Sequence, residues 1–486
     1  MNKLLKVLPI IAMLASSIVS QPVWADTGSD AANLEQRLDN LEQQIAILKR
    51  QIENDKEDGK AKSKETPVVT ANAKDGFSIK SPNGDYSLKL GGYTQVVARE
   101  FADNKKGELG YASSIIPRRV RLIIQGTVAR DFDYFIQPEF GYPNTYSATN
   151  AVPATSPSAY AVALQDAWLD WKYFPQATVK AGKFKPPFDL ENLQDTRYTA
   201  FTELGLTSNL SPQRDVGGQL GGSLFDDIVN YQAGIFDGAA DKENGYGGYN
   251  AGGDTNSKSG TGRVFLKPFK DTSIEPLQGL GIGYAASYGK EKGTDLPTYV
   301  SPGQAPVFQY NSTVSAAGPQ IRTEPQAYYY YKSLGILGEK VNSQEDLQYT
   351  IGSGAATRFV HDKPTNRAWE VTTSYVLTGE DASYNGVTPR HDFDLSKGQW
   401  GALELEGRVG ELKVDGSIFS ENFASLNTSI SRENTWGTNL NWYLNRNVKL
   451  AAGFEQTKFD RGAINGKSTD DRKTDNLFNG LAQLSF

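Results

Sequence analysis

Basic side chains recur two or four positions apart in two segments of the chain, spacings that place side chains on one face of a β-strand. Arg119 and Arg121 alternate with apolar residues, and so do Arg263 and Lys267. A guanidinium can bind two oxygens of one oxyanion with its planar fork, whereas an ammonium acts as a point charge. The pattern therefore predicts polar strand faces that can hold small oxyanions.

Further basic residues surround the sequence PPFDLENLQ (186–194). Lys180 and Lys183 cannot share a face of a regular strand, but a bulge at Gly182 could reset the alternation. For each basic residue taken singly, the competing interpretation is that it only lines a wet surface opposite acidic residues. The complete set of candidates for an anion path is Arg119, Arg121, Lys180, Lys183, Lys185, Arg197, Arg214, Arg263 and Lys267.

The composition excludes several kinds of site. The 486 residues include no cysteine, which excludes thiolate catalysis, disulfides and cysteine-ligated metals. His361 and His391 are the only histidines, and no Ser/His/Asp grouping has the context of a hydrolase. A formal net charge of -6 does not support a nucleic-acid-binding surface. We therefore predict no enzyme activity, no cofactor, no metal site and no nucleic-acid partner.

The first 75 residues divide into three predicted segments. Residues 1–25 have the basic start, apolar stretch and small-residue cleavage site of a signal peptide. In residues 26–53, leucines and isoleucines follow a heptad spacing, which predicts a coiled-coil helix; a single amphipathic helix folded onto its own chain is the alternative. Residues 54–75 are charged and nearly free of apolar side chains, which predicts a disordered linker.

From residue 76 to residue 486, polar and apolar residues alternate along segments of about ten residues, the length of a membrane-spanning strand. Glu404, Glu406 and Arg408, for example, alternate with Leu405 and Val409. No segment after the signal peptide has the roughly 20 apolar residues of a membrane helix. The fold class predicted is all-β: a transmembrane antiparallel β-barrel of about 16 strands, preceded by the short coiled coil.

The connections between the predicted strands have two lengths. Residues 445–447 form a tight turn, whereas 237–260, 290–326 and 378–399 are long stretches rich in small and polar residues. Outer-membrane barrels have short turns on one rim and long loops on the other. We therefore expect the three long stretches to share one rim, opposite the tight turn.

Four stretches of the barrel region resemble the phosphate-selective porins of the O/P type. They are RRVRLIIQGTVARDFDYFIQPEFG (118–141), VKAGKFKPPFDLENLQ (179–194), SYVLTGEDASYNGVTP (374–389) and NTWGTNLNWYLNRNVKL (434–450), and the terminal Phe486 is similar to the aromatic end of such proteins. The resemblance implies a homotrimeric channel in the bacterial outer membrane, surrounded by lipid, that passes phosphate or polyphosphate. It also implies that the segment after the Pro-Pro step folds inward and narrows the channel.

This inward segment, residues 186–215, departs from the expected pattern. The resemblance implies a lysine cluster here, but the segment has no lysine and carries five acids, Asp189, Glu191, Asp195, Glu203 and Asp215. If these acids face the passage, they oppose phosphate; if they bind arginines on the wall, they do not. A channel for an uncharged solute such as a sugar therefore remains an alternative. A structural tether to peptidoglycan through the N-terminal segment is the second alternative.

Overall fold

The structure, a computed structural model, describes residues 29–72, 76–102, 113–141, 162–238, 258–294, 296–351, 358–463 and 469–486. The signal peptide predicted at 1–25 lies outside these residues. The chain divides into two compact units, one ending at Thr66 and the other running from Pro67 to Phe486.

In the first unit, the described residues form one helix, α1, Ser29–Glu65. Leu38, Ile45 and Ile52 of the heptad pattern are 53%, 52% and 53% exposed. These side chains are therefore open to a second helix, and the coiled coil stays a prediction. None of the helices in the described ranges is long and apolar enough to cross a membrane.

Regular secondary structure continues into residues 54–75, the segment predicted as a linker. α1 continues to Glu65, and strand β1, Val68–Asn72, pairs with β2, Gly76–Lys80. The boundary drawn at residue 76 therefore falls inside a hairpin. The disorder expected for this segment stays a prediction.

Nineteen strands of the described chain belong to one sheet, and sixteen of them close a ring in which β21 pairs with β3. The predicted antiparallel barrel is thus confirmed. The ring consists of β3 Ser87–Ala102, β4 Ser114–Val128, β5 Phe132–Glu139, β6 Ala163–Phe174, β7 Ala177–Phe184, β8 Asp215–Leu224, β9 Val229–Phe236, β10 Ser259–Leu266, β11 Leu280–Gly293, β14 Ser315–Tyr331, β15 Leu334–Ile351, β17 Thr365–Val376, β18 Ala402–Lys413, β19 Ile430–Tyr443, β20 Val448–Arg461 and β21 Asp475–Ser485.

The remaining elements extend the ring strands or lie in connections. β2 pairs with the first four residues of β3, and β16, Arg358–Asp362, pairs with the end of β15. The connections contain β12 Tyr299–Val300, β13 Pro306–Phe308, α2 Leu190–Leu193, α3 Ser417–Ser420 and the 3₁₀ turns Leu206–Asn209, Glu275–Leu277 and Leu395–Lys397.

The alternation read from the sequence divides the inside of the barrel from its outside. On β18, Glu404, Glu406 and Arg408 are 5%, 3% and 2% exposed, whereas the alternating Leu405 and Val409 are 45% and 46% exposed. Because the outward residues are apolar and the inward ones polar, this is the arrangement of a barrel surrounded by lipid with a polar interior.

The long stretch 378–399 is on the opposite rim from the one predicted. It joins β17 to β18, and the backbone N–H of Phe393 donates to the carbonyl of Leu444, so it lies beside the tight turn at 445–447. The prediction was wrong because length alone does not identify a rim. The stretch 290–326 was also drawn too long, since β11 runs to Gly293 and β14 begins at Ser315.

Candidate functional site

The constriction loop, residues 185–214, connects β7 to β8 and folds into the barrel. Phe188 and Leu206 are 0% and 1% exposed and belong to the same buried cluster as Val341 of β15. The Asp189 side chain begins α2 by accepting a hydrogen bond from the Asn192 N–H at 2.6 Å. Apolar packing and this cap fix the path of the loop against the wall.

One acid of the loop, Glu203, is bound by three arginines of the wall. Its carboxylate lies 2.5 Å from Arg99, 2.8 Å from Arg118 and 2.9 Å from Arg119. Burial by itself would raise the pKa of Glu203, but the three guanidinium charges outweigh burial and hold the pKa well below its usual range. This acid is therefore a charged anchor of the loop and does not face the passage.

Arg118 and Arg119 are adjacent in sequence, yet both face inward. The pairing of β3 with β4 shifts from Gln95–Arg119 to Val96–Pro117. This β-bulge turns Arg118 to the same side as Arg119. Alternation could not predict it, because alternation assigns neighbouring residues to opposite faces.

A second acid, Glu191, faces Arg408 of β18. The guanidinium lies 3.6 Å from Glu191 and 3.0 Å from Glu455, and it stacks over the Phe201 ring at 4.3 Å. Asp195 pairs with Arg197 at 2.6 Å, within the loop itself. Of the five acids predicted for the constriction, Glu203 and Asp195 are therefore paired with arginines, and Glu191 shares Arg408 with Glu455.

Beside the loop lies a cavity of about 260 Å³, between the loop and strands β3 to β9, which is the candidate passage. Its described lining includes four basic side chains, Arg121, Lys180, Lys185 and Arg214, and two carboxylates, Asp166 and Asp195. Aromatic and amide side chains complete it, including Tyr93, Phe135, Trp168, Gln137, Gln219 and Gln232. The charge of this passage is thus more positive than the composition of the loop indicates.

Two of the four basic side chains, Lys180 and Lys185, have no ion-pair partner among the described residues. Arg121 pairs with Glu139 at 2.6 Å and Arg214 pairs with Asp166 at 3.0 Å. Lys180, by contrast, lies over the Trp168 ring at 4.4 Å.

Lys185 donates to the backbone carbonyls of Asn192 and Gln194. Burial and then the charge of Arg214 lower the pKa of Lys185 to about 7. Its charge therefore responds to pH near neutrality.

The sequence profile described as "Phosphate-selective porin O and P" matches residues 90–274 and 356–486, more than half of the chain. The chain belongs to this family. It is 22% identical to Porin O of Pseudomonas aeruginosa over 431 residues, which cover 83% of this chain and 90% of that protein. It also shares the fold of the outer membrane channel DcaP of Acinetobacter baumannii, with a TM-score of 0.50, 11% identity and coverage of 84% and 99% of the two chains.

The protein is accordingly an outer-membrane porin, and the structure brings together only part of its predicted anion path. Four of the predicted residues line the cavity: Arg121, Lys180, Lys185 and Arg214. Arg119 does not line it and forms an ion pair with Glu203. Arg197 stacks over Tyr93 and Tyr198, at 5.6 and 5.3 Å. These residues converge from β4, β7 and the constriction loop, which the sequence alone does not show.

Three predicted residues of this porin lie apart from the cavity. Lys183 pairs with Ala167 and Val216 in an unbroken register, so the bulge proposed at Gly182 is absent and Lys183 is on the opposite face from Lys180. Lys267 follows β10 and binds Asp227 at 2.6 Å, at the turn rim. Arg263 donates to Gln326 at 2.8 Å, and neither residue lines the cavity.

Sequence reasoning missed the role of Arg99, which is 2% exposed. A signal was available, because Tyr93, Gln95, Val97, Arg99 and Phe101 occupy alternate positions of β3 and are all buried. Since this face mixes polar with aromatic residues, it did not stand out as a lumen face.

Proposed function

We propose that this porin is a passive channel that prefers small anions, with phosphate or polyphosphate as the preferred solutes of its family. The single observation that carries the proposal is the cavity beside the constriction loop. Lys180 and Lys185 line it without ion-pair partners in the described residues, while Glu203 is bound by wall arginines. A channel must replace part of an ion's hydration and still release the ion.

The lining suits weak binding. The two lysines supply point charges, and the amides of Gln137, Gln219 and Gln232 add both hydrogen-bond donors and acceptors, which together favour no particular charge. Because Arg121 and Arg214 are each held by a carboxylate, they contribute less net field than unpaired guanidiniums would. We infer transient contacts with a passing anion and no deep binding site.

The experiment is a reversal-potential measurement on the purified protein in planar bilayers under a potassium chloride gradient. We expect discrete conductance steps, a chloride-selective reversal potential and partial block of the chloride current by added phosphate. A potassium-selective reversal potential would refute the anion preference and leave the porin assignment intact.

A sugar channel is the second candidate, and one observation favours it. Phe135 and Trp168 stack at 5.3 Å with their planes 4° apart, and both line the cavity. Flat apolar surfaces of this kind can carry the faces of sugar rings. Block of the current by maltose or sucrose, with none by phosphate, would select this function.

We also propose that the porin assembles as a homotrimer, as its family resemblance implies, with the exposed heptad face of α1 joining the N-terminal segments. Cross-linking of the detergent-solubilised protein should yield trimers as the largest abundant species. A monomer under all conditions would contradict this assembly.

A further inference from the structure

Five carboxylates meet at a second contact between the constriction loop and the wall. Asp189 and Glu191 come from the loop, and Glu324, Glu339 and Glu370 come from β14, β15 and β17. All five residues are 5% exposed or less. No metal site was predicted from the sequence, because it has no cysteine and only two histidines.

We propose that these five carboxylates form a calcium site that ties the constriction loop to the barrel wall. Oxygens of Asp189, Glu324 and Glu339 lie within 4.8 Å of one another, and so do oxygens of Glu191, Glu339 and Glu370. Two oxygens on opposite sides of one Ca²⁺ are about 4.6–5.2 Å apart. The two groups share Glu339, so one ion can draw ligands from both the loop and the wall.

The Glu370 carboxylate gives independent evidence that the cluster binds a ligand. The residue is 1% exposed, and within the described chain neither of its oxygens has a hydrogen-bond partner. The same holds for one oxygen of Glu324, which is 0% exposed. A buried carboxylate without a partner is costly, so these oxygens require either a cation or a proton.

Neighbouring groups donate hydrogen bonds to only some of the carboxylate oxygens of the cluster. Glu339 accepts from the Leu190 N–H at 2.7 Å and from the Thr207 hydroxyl at 3.0 Å, and Asp189 accepts from the Ser211 hydroxyl at 2.6 Å. Glu339 and Glu370 are directly opposite each other on adjacent strands, a pairing that destabilises like charges. Hydrogen bonds orient these oxygens but do not balance their charge.

Two arginines approach the cluster, and both are engaged elsewhere. Arg408 lies 3.6 Å from Glu191 but donates two hydrogen bonds to Glu455. Arg263 donates to Gln326 and acts on Glu324 only through its field. Five carboxylates against three shared cations, these two guanidiniums and the Lys185 ammonium that acts on Asp189, leave a net negative charge that a divalent cation would offset.

The ligand chemistry favours calcium over other divalent cations. All ligands are carboxylate oxygens, which suit hard cations and disfavour zinc, copper and iron. Ca²⁺ accepts six to eight oxygens in irregular geometry, whereas Mg²⁺ requires a near-ideal octahedron and retains several waters. A crowded set of carboxylates from five separate backbone positions therefore fits Ca²⁺ better.

The test is equilibrium dialysis of the full chain in detergent against ⁴⁵Ca²⁺, after treatment with EGTA. We expect one Ca²⁺ per chain at free concentrations up to about 1 mM, the range of weak extracellular calcium modules. Glu370→Gln and Glu339→Gln should each lower the occupancy at least tenfold. Glu433→Gln should retain it, because Glu433 is also a buried wall acid whose oxygens have no described hydrogen-bond partner but is outside the cluster.

Folding of each variant is checked by its heat-modifiable mobility on gels, and thermal unfolding gives a second measurement. Calcium should raise the unfolding temperature of the wild type and of Glu433→Gln, but not that of Glu370→Gln. No calcium binding by the folded wild type, or equal binding by Glu370→Gln, overturns the proposal and leaves shared protons as the means of accommodating these acids. The outcome is independent of which solute the channel prefers.

Discussion

The constriction loop contacts the wall at two buried acidic places with opposite surroundings. At the first, Glu203 meets Arg99, Arg118 and Arg119. At the second, Asp189 and Glu191 meet three more carboxylates. The comparison shows that Glu203, Asp189 and Glu191 do not set the charge of the cavity, because they face the wall, and the residues of the wall determine how each is neutralised.

The two contacts differ in whether other residues of the chain balance the charge of the carboxylates. The Glu203 contact is complete within the chain, since guanidiniums surround the carboxylate. The Glu370 contact is incomplete within the chain, because its oxygens have no partner among the described residues. We therefore expect substitutions that remove one charge to act in opposite directions at the two places.

Glu203→Gln should have the largest effect. It leaves three buried guanidiniums without their carboxylate, and breaking a buried ion pair costs about 3–5 kcal/mol. We expect a lower unfolding temperature and noisier single-channel currents as the loop loosens. Asp195→Asn is the control, because its ion pair with Arg197 is about one-quarter to one-third exposed and should matter by less than about 1 kcal/mol. Equal effects of the two variants would contradict the anchoring role of Glu203.

Glu370→Gln should have a smaller effect of opposite sign when calcium is removed with EGTA. The substitution relieves repulsion between directly opposed like charges, which is worth about 0.2–1 kcal/mol. The unfolding temperature should therefore rise slightly above that of the wild type in EGTA. A decrease in EGTA would show that the Glu370 charge is already balanced within the chain, and the contrast between the two contacts would fail.

The effect of pH on the anion selectivity of the channel should be smaller still than the effects of these two substitutions. Burial and the charge of Arg214 lower the pKa of Lys185 to about 7, so raising the pH from 6 to 8 removes its charge. One charge about 8 Å from a passing ion contributes about 0.5 kcal/mol in water, which corresponds to a roughly twofold fall in anion preference. Lys185→Met should abolish this step. An unchanged pH profile in Lys185→Met would assign the effect to another group.

The sequence predicted the barrel well because each strand repeats the same signal. Alternation places Glu406 inward and Leu405 outward without knowledge of any other strand, and sixteen such strands determine the fold class. The same rule failed wherever the backbone leaves the regular register. It could not predict that a bulge turns Arg118 inward, and it allowed Lys183 into the path on a bulge that is absent.

The candidate site was only partly predictable because it depends on pairs that are distant in the chain. The loop acids were visible in the sequence, but whether Glu203 faces water or Arg99 depends on how residues 104 positions apart are placed by the closed ring. The carboxylate cluster likewise joins residues from three wall strands to the loop. Rim assignment failed for 378–399 for the same reason, since only strand order places that stretch beside residues 445–447.

The most direct test compares two neighbouring lysines on opposite faces of β7. Reversal potentials in a potassium chloride gradient are measured for Lys180→Gln and for the matched control Lys183→Gln. Because Lys180 lines the cavity, its loss should lower the chloride-to-potassium permeability ratio roughly fourfold, as expected for one charge about 5 Å from the ion in water. Lys183→Gln should leave the ratio at the wild-type value. An equal shift in both variants, or no shift in Lys180→Gln, would contradict a cationic passage beside the constriction loop.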